Sequence, residues 1–207
     1  MEIIKSYFKD LTDDQLDALN QLHGLYSHWN EKINVISRKD IDNLEIRHIL
    51  HSLAIAKFID FRAGTTVLDL GTGGGFPAIP LAILFPEVQF HAIDGTAKKI
   101  KVVQTIINEL GLSNIKAQQL RAEENKQQYD FVVTRAVARL EKLIPWSERL
   151  IHRNQKNATP NGLIALKGGS FKEEKKDIRK YMEHYPLNGY FKEEFFETKY
   201  LVYVQLS

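Results

Sequence analysis

Val67-Leu68-Asp69-Leu70-Gly71-Thr72-Gly73-Gly74-Gly75-Phe76-Pro77 is the stretch that decides the fold of this chain. Val67 to Leu70 reads as the end of a buried strand. Four glycines within five positions follow, and Pro77 suits the first turn of a helix, where its missing N–H goes unused. Strand, glycine turn and helix together open a βαβ unit of a doubly wound α/β fold. That arrangement places a ligand at the carboxyl end of the strand.

The spacing narrows the ligand. Gly71, Gly73 and Gly75 give G-x-G-x-G, with Phe76 where a dinucleotide fingerprint has its third glycine. No Gly-Lys-Ser/Thr follows, which excludes a P-loop. Asp69, two residues before the first glycine, would repel a phosphate and attract an ammonium or a sulfonium. The next strand, Val88 to Asp94, closes on a second acid, and Asp94 is placed to accept hydrogen bonds from ribose hydroxyls. Two acids in register around a glycine loop resemble the S-adenosylmethionine site of class I methyltransferases. The other reading is a glycine-rich turn in a different doubly wound fold.

Composition sets the bounds. The 207 residues fit one domain with an extension; 43% are hydrophobic and 26% charged, ordinary values for a globular protein. The absence of cysteine excludes disulfides, thiolate metal sites and cysteine nucleophiles. No apolar run approaches the ~20 residues of a membrane span, and the amino terminus lacks a signal-peptide pattern, so no membrane role and a cytoplasmic location are expected. A net charge of +2 permits a nucleic-acid partner without requiring one.

Residues 1–63 read as a helical extension and 64–207 as the methyltransferase core. Thr12-Asp13-Asp14-Gln15 is a capping box, and Leu16, Leu19, Leu22, Leu25, Tyr26 and Trp29 then recur at helical spacing. Asp40 is expected to cap a second long helix through Ile59, with Arg47 and His51 on one face. That histidine pair lacks a third ligand, so no metal is expected. From Gly64 strands and helices alternate, which signals a parallel sheet. The strands are expected at 66–70, 88–94, 114–120, 130–134 and 163–167, with helices at 78–84, 97–110, 139–153 and 171–185. Residues 190–197 and 200–206 are expected to close a seven-stranded, mostly parallel sheet as an antiparallel pair. Lys172 to Asp177 mixes charge signs and reads as a solvated face.

The loop Arg121-Ala122-Glu123-Glu124 follows the third strand, where this fold places the adenine ring. The fourth strand enters Thr134-Arg135-Ala136-Val137-Ala138-Arg139. It lacks the Asn/Asp-Pro-Pro-aromatic motif of enzymes that methylate exocyclic amines, and the chain has no cysteine for pyrimidine C5 methylation. Guanine N7 remains a candidate acceptor, having an in-plane lone pair and no proton to remove; orientation would then supply the rate. Arg135 and Arg139 are candidate positioning residues, for the cofactor carboxylate, a phosphate or guanine O6. Arg47, His48, Lys98, Lys99, Arg139 and Lys167 are candidates for a basic rim that binds RNA phosphate.

Leu68 to Pro77 followed by Ile79-Pro80-Leu81-Ala82 resembles the glucose-inhibited division protein B family, the bacterial small-subunit rRNA guanine-N7 methyltransferases. The resemblance continues through Trp29-Asn30, Asn34, Arg47-His48-Ile49-Leu50, Asp94 with Lys98-Lys99, Ala122-Glu123, Thr134-Arg135-Ala136 and Ala165-Leu166-Lys167-Gly168, nearly the whole chain. It implies S-adenosylmethionine as donor and N7 of one guanosine in a conserved hairpin near the decoding centre of 16S rRNA as acceptor. The partner it implies is 16S rRNA, in the small ribosomal subunit or an assembly intermediate, with the protein expected as a monomer. It places cofactor contacts at Gly71, Phe76, Ala122, Glu123 and Arg135, beside Asp69, Gly73, Gly75 and Asp94 from the motif reading. Two positions depart from the family pattern. Ala78 stands where the family often has glycine, and His51 stands where it commonly has aspartate before Ser52, so a role resting on that carboxylate has no counterpart here. A small-molecule methyltransferase on the same fold and a non-catalytic cofactor- or RNA-binding module are the alternatives.

Overall fold

Thr12 and Gln15 form the expected capping box and start the long helix of the extension. The description rests on a computed structural model and covers residues 1–37, 40–169, 171–174 and 178–207. Helix α1 is Glu2–Tyr7 and α2 is Asp13–Lys32. Leu19, Leu22 and Tyr26 of α2 are buried, as the helical spacing requires. The side-chain amide of Gln15 also donates to Ile83 O and Leu84 O, tying the start of α2 to the core.

The second long helix is not regular. It runs as a 3-10 turn Ile41–Asn43, a π-helix Glu45–Leu50, a short α3 His51–Leu53 and a 3-10 turn Ala54–Lys57. Arg47 is exposed while His51 is buried. The two nonetheless line one cavity, as their spacing of four residues requires.

Seven strands form one sheet: β1 Thr66–Leu70, β2 Gln89–Asp94, β3 Ile115–Gln119, β4 Phe131–Arg135, β5 Gly162–Gly168, β6 Met182–Pro186 and β7 Lys199–Gln205. Their order is β3-β2-β1-β4-β5-β7-β6. The first five are parallel, β7 is antiparallel to β5, and β6 is antiparallel to β7. The central strands are buried along nearly their whole length, as parallel strands covered on both faces must be. Helices α4 Ala78–Leu84, α5 Ala97–Glu109, α6 Leu140–Glu148 and α7 Phe171–Glu174 complete the fold. One apolar cluster joins Leu19, Leu22 and Tyr26 of the extension to Ile79, Phe90 and Val133 of the sheet domain.

Three expected elements are corrected. The helix expected over 139–153 ends at Glu148. The helix expected over 171–185 is described only at Phe171–Glu174, its residues 175–177 lie outside the described set, and Met182–Pro186 is the edge strand β6. The strand expected at 190–197 instead forms 3-10 turns, which bury Phe191 and Phe196 in the core. The sheet therefore closes on 182–186 paired with 199–205. Among the described residues no helix is long and apolar enough to cross a membrane.

Candidate active site

The carboxyl ends of β1, β2, β4 and β5 and the start of β7 converge on one edge. The glycine loop leaves β1 there with positive φ at Gly71 (72°), Gly73 (57°) and Gly75 (95°), a region glycine occupies at no steric cost. A Cβ on Gly71 would lie 2.6 Å from Val137 and one on Gly75 2.5 Å from Ile79, so packing also holds these positions to glycine. A Cβ on Gly73 would meet no atom within 4 Å; here backbone faces open space. Tyr26 of α2 donates to Gly74 O at 2.5 Å and packs on Phe76, so the extension braces the loop from behind. The Phe76–Pro77 peptide is cis, and α4 begins at Ala78, as expected.

Asp69 shapes this loop. Its Oδ2 accepts from Thr72 Oγ1 at 2.6 Å and from the Ala78 N–H at 3.0 Å. The residue is fully buried, which pushes its pKa up to about 7, and its Oδ1 has no partner among the described residues. Asp94, at the end of β2, accepts from Gly73 N–H at 3.1 Å and Thr96 N–H at 2.8 Å. Each carboxylate oxygen has a second lone pair for a ligand. A cavity of about 390 Å³ opens beside Asp94, walled by Ile93, Leu120, Ala122, Glu123, Val137 and Trp146. Apolar walls, the Ala122–Glu123 turn and the Asp94 carboxylate suit an adenosyl group, with the buried Asp69 close by. An unpaired buried carboxylate oxygen and a glycine position open to the cleft are the observations that fit such a cofactor.

Arg135, the last residue of β4, joins this cleft to the extension. It donates to Arg47 O at 2.9 Å and to His48 Nδ1 at 2.9 Å, and its guanidinium lies 5.1 Å from the Phe76 ring. Accepting at Nδ1 puts the His48 proton on Nε2. Burial, and then the Arg135 charge, push the His48 pKa down to about 3, so the ring is neutral. Ala136 follows at φ 54°, a strained conformation for a residue with a Cβ. A second cavity of about 430 Å³ lies on this side, lined by Arg47, His48, Arg135 and Ala136 and by three residues the sequence reading did not single out as ligand contacts, His51, Phe195 and Lys199. The π turn that carries Arg47 and His48 sits against it, in keeping with the frequent placement of such turns at functional sites.

The structure places the expected residues unequally. Gly71, Asp94, Ala122 and Glu123 line the 390 Å³ cavity, Arg135 lines the 430 Å³ one, and Asp69, Gly73, Gly75 and Phe76 belong to the strand end and glycine loop beside them. Lys98 and Lys99 sit in the first turn of α5, Lys98 exposed. Arg139 is exposed and paired with Glu141 at 2.9 Å. Lys167 lines the 430 Å³ cavity together with Arg47 and His48, but it is 9% exposed, bonds Glu174 at 3.0 Å and donates to Ala138 O at 2.8 Å. Glu174 also accepts from Leu140 N–H at 2.8 Å. Its amine thus anchors the loop after β4 rather than presenting a charge to solvent. Phe195 and Lys199 lie far along the chain from Arg47, and nothing in their local sequence signals the meeting.

The profile of a family described as "GidB: rRNA small subunit methyltransferase G" matches residues 15–195. The ribosomal RNA small subunit methyltransferase G of Bacteroides thetaiotaomicron is 54% identical over 206 residues, covering 100% of both chains. The protein of the same name from Flavobacterium johnsoniae is 53% identical, covering 100% of this chain and 99% of its own. Among solved structures, a SAM dependent methyltransferase from Aquifex aeolicus superposes with a TM-score of 0.60 at 15% identity, over 83% of this chain and 100% of that one. MtNAS in complex with MTA and tNA gives 0.61 at 12% identity, over 92% and 73%. At such identities these two speak to the fold alone.

Proposed function

This chain belongs to the GidB family of small-subunit rRNA methyltransferases, and from that membership we propose that it methylates N7 of one guanosine in 16S rRNA, using S-adenosylmethionine. S-adenosylmethionine supplies an electrophilic methyl group on a sulfonium. The observation that carries the reading is a glycine cradle bracketed by Asp69 and Asp94, with a second cavity next to it across Arg135.

The residues divide the work. Asp94 takes the ribose hydroxyls, and Ala122 and Glu123 read the adenine edge. Asp69 and the open Gly73 backbone face the cationic tail. Arg135 holds the Arg47–His48 turn against the cleft and so fixes the wall that meets the acceptor base. Guanine N7 needs no base to remove a proton, and His48, beside the cleft, is neutral with its Nδ1 occupied. Catalysis then rests on holding N7 in line with the methyl and sulfur, a proximity effect. Lys98, Lys99, Arg47 and Arg139 contact phosphates of the hairpin. The substrate is 16S rRNA in the small subunit or its assembly intermediate, and we place the protein in the cytoplasm as a monomer.

Calorimetric titration with S-adenosylmethionine tests the site. Asp94→Ala should weaken binding tenfold or more, the loss of hydrogen bonds from ribose to a charged acceptor. Unaltered affinity in a folded Asp94→Ala protein would remove the ribose from that position.

A further inference from the structure

His51 has an unusual environment for a core histidine. It is 5% exposed, it lines the 430 Å³ cavity, and its Nε2 has no hydrogen-bond partner among the described residues. The ring lies edge-on to Phe195 at 5.3 Å and to Phe196 at 6.0 Å. Burial is the first influence on its titration, and the Arg135 and Lys199 charges add to it; all drive the pKa well below the ordinary value. The opposing influence is a hydrogen bond to the Arg47 backbone. That bond must leave through Nδ1–H, because Nε2 makes none. What remains at Nε2 is a bare lone pair on a neutral ring in a cavity wall. A buried acceptor of this kind is costly unless a ligand donates to it.

We propose that Nε2 of His51 accepts a hydrogen bond from the Watson–Crick donor edge of the target guanine, N1–H or the N2 amine, and thereby selects guanine over adenine. The inference rests on the guanine-N7 reading above. N7 and the N1–N2 edge lie on opposite sides of a purine. With N7 turned past Arg135 and Ala136 toward the cofactor cleft, the donor edge meets the opposite wall, where His51 stands against Phe195. Adenine would present its N1 lone pair to the Nε2 lone pair and has no donor at N1 or C2, its amine lying at C6 where guanine has O6. Asp40 also lines the cavity, where Ser37 at 2.7 Å and Arg47 at 2.5 Å engage it, whereas His51 Nε2 is buried and has no partner among the described residues. Arg47 and Lys199, at 5.9 and 4.8 Å from the Phe195 ring centre, bring positive charge to the flanking phosphates of a splayed nucleotide.

The test compares wild type, His51→Leu and His51→Gln on small subunits reconstituted with 16S rRNA carrying guanosine, adenosine, inosine or 1-methylguanosine at the target position. His51→Leu should lower kcat/KM for guanosine about ten- to hundredfold, mainly through KM, with S-adenosylmethionine affinity unchanged. The guanosine-to-adenosine preference should narrow as well. His51→Gln, whose amide oxygen can stand near the Nε2 position, should recover most of the guanosine activity. On the substrate side, wild type should lose rate on inosine or on 1-methylguanosine, according to which donor is used. Full rates on both, or His51→Leu and His51→Gln falling equally with no change in preference, would overturn the assignment and make His51 a packing residue. Absence of transfer by wild type to unmodified subunits would instead fail the guanine-N7 reading itself.

Discussion

Replacing Arg135 with methionine removes one charged group at the junction of extension and sheet while keeping the side chain long and apolar enough to pack on Phe76. Two charge-assisted hydrogen bonds go, to Arg47 O and His48 Nδ1. Each is worth roughly 1.5–3 kcal/mol, and both acceptors are left without their donor. The cost of keeping a cation out of water also disappears, which offsets part of the loss. The balance is a destabilisation of about 2–4 kcal/mol. In a domain of this length that is a fall of roughly 5–12 °C in Tm. Urea unfolding at pH 8, followed by tryptophan fluorescence, measures it. A second consequence is electrostatic. Arg135 is the second cause, after burial, of the depressed His48 pKa, so the variant's His48 should titrate closer to its ordinary value in an NMR pH series. A stability change under 1 kcal/mol together with an unmoved His48 titration would refute the claim that this guanidinium fastens the turn to the cleft.

Gly73→Val should cost only about 1–2 kcal/mol, the strain of a Cβ at φ 57°, because no atom lies within 4 Å of the new Cβ, yet it should abolish tight S-adenosylmethionine binding by filling the cleft. Full affinity in that variant would displace the cofactor from the loop. Stability should decline as pH drops below about 6.5. Folded His48 is pushed down to about 3, His91 to about 4 and His51 well below normal, so unfolding takes up protons at all three. Asp69, raised to about 7, binds its proton earlier in the folded state and opposes one of them. The net uptake of two protons gives a limiting slope of about 2.7 kcal/mol per pH unit between roughly pH 4 and 6.5; a flat denaturation profile over that range would contradict the buried neutral histidines. Lys98→Ala should weaken rRNA binding and reduce the steepness of its salt dependence by about one phosphate's worth, and an unaltered slope measured by filter binding would take Lys98 out of the contact surface.

The cofactor half of the site is legible in the sequence because it is local. Asp69 and the glycines lie within seven residues, and Asp94 falls at the matching end of the next strand. Alternation of strand and helix then dictates the parallel sheet. The acceptor half is not local. Phe195 and Lys199 reach His51 and Arg47 only because β7 inserts beside β5, placing Lys199 opposite Gly168. The π turn that carries Arg47 and His48 to the cavity also lined by His51 leaves no mark in apolar spacing. The misplaced sixth strand has a similar cause. Met182–Pro186 is a half-exposed edge strand with little apolar alternation, whereas the aromatic-rich 190–197 carries strand-forming residues whose rings the core takes up from 3-10 turns. Lys167 illustrates the limit of charge counting: a lysine at a strand end reads as a free basic group until Glu174, from the helix that follows, is seen to bind it.

The central claim is methyl transfer to one guanine N7, and the most direct measurement is transfer of labelled methyl from S-adenosylmethionine to small ribosomal subunits from a strain lacking this protein, mapped by chemical cleavage at N7-methylguanosine. A single cleavage site in the conserved 16S hairpin near the decoding centre is the expected result. Incorporation at another atom or another nucleotide, or no incorporation by protein that binds the cofactor, would contradict it.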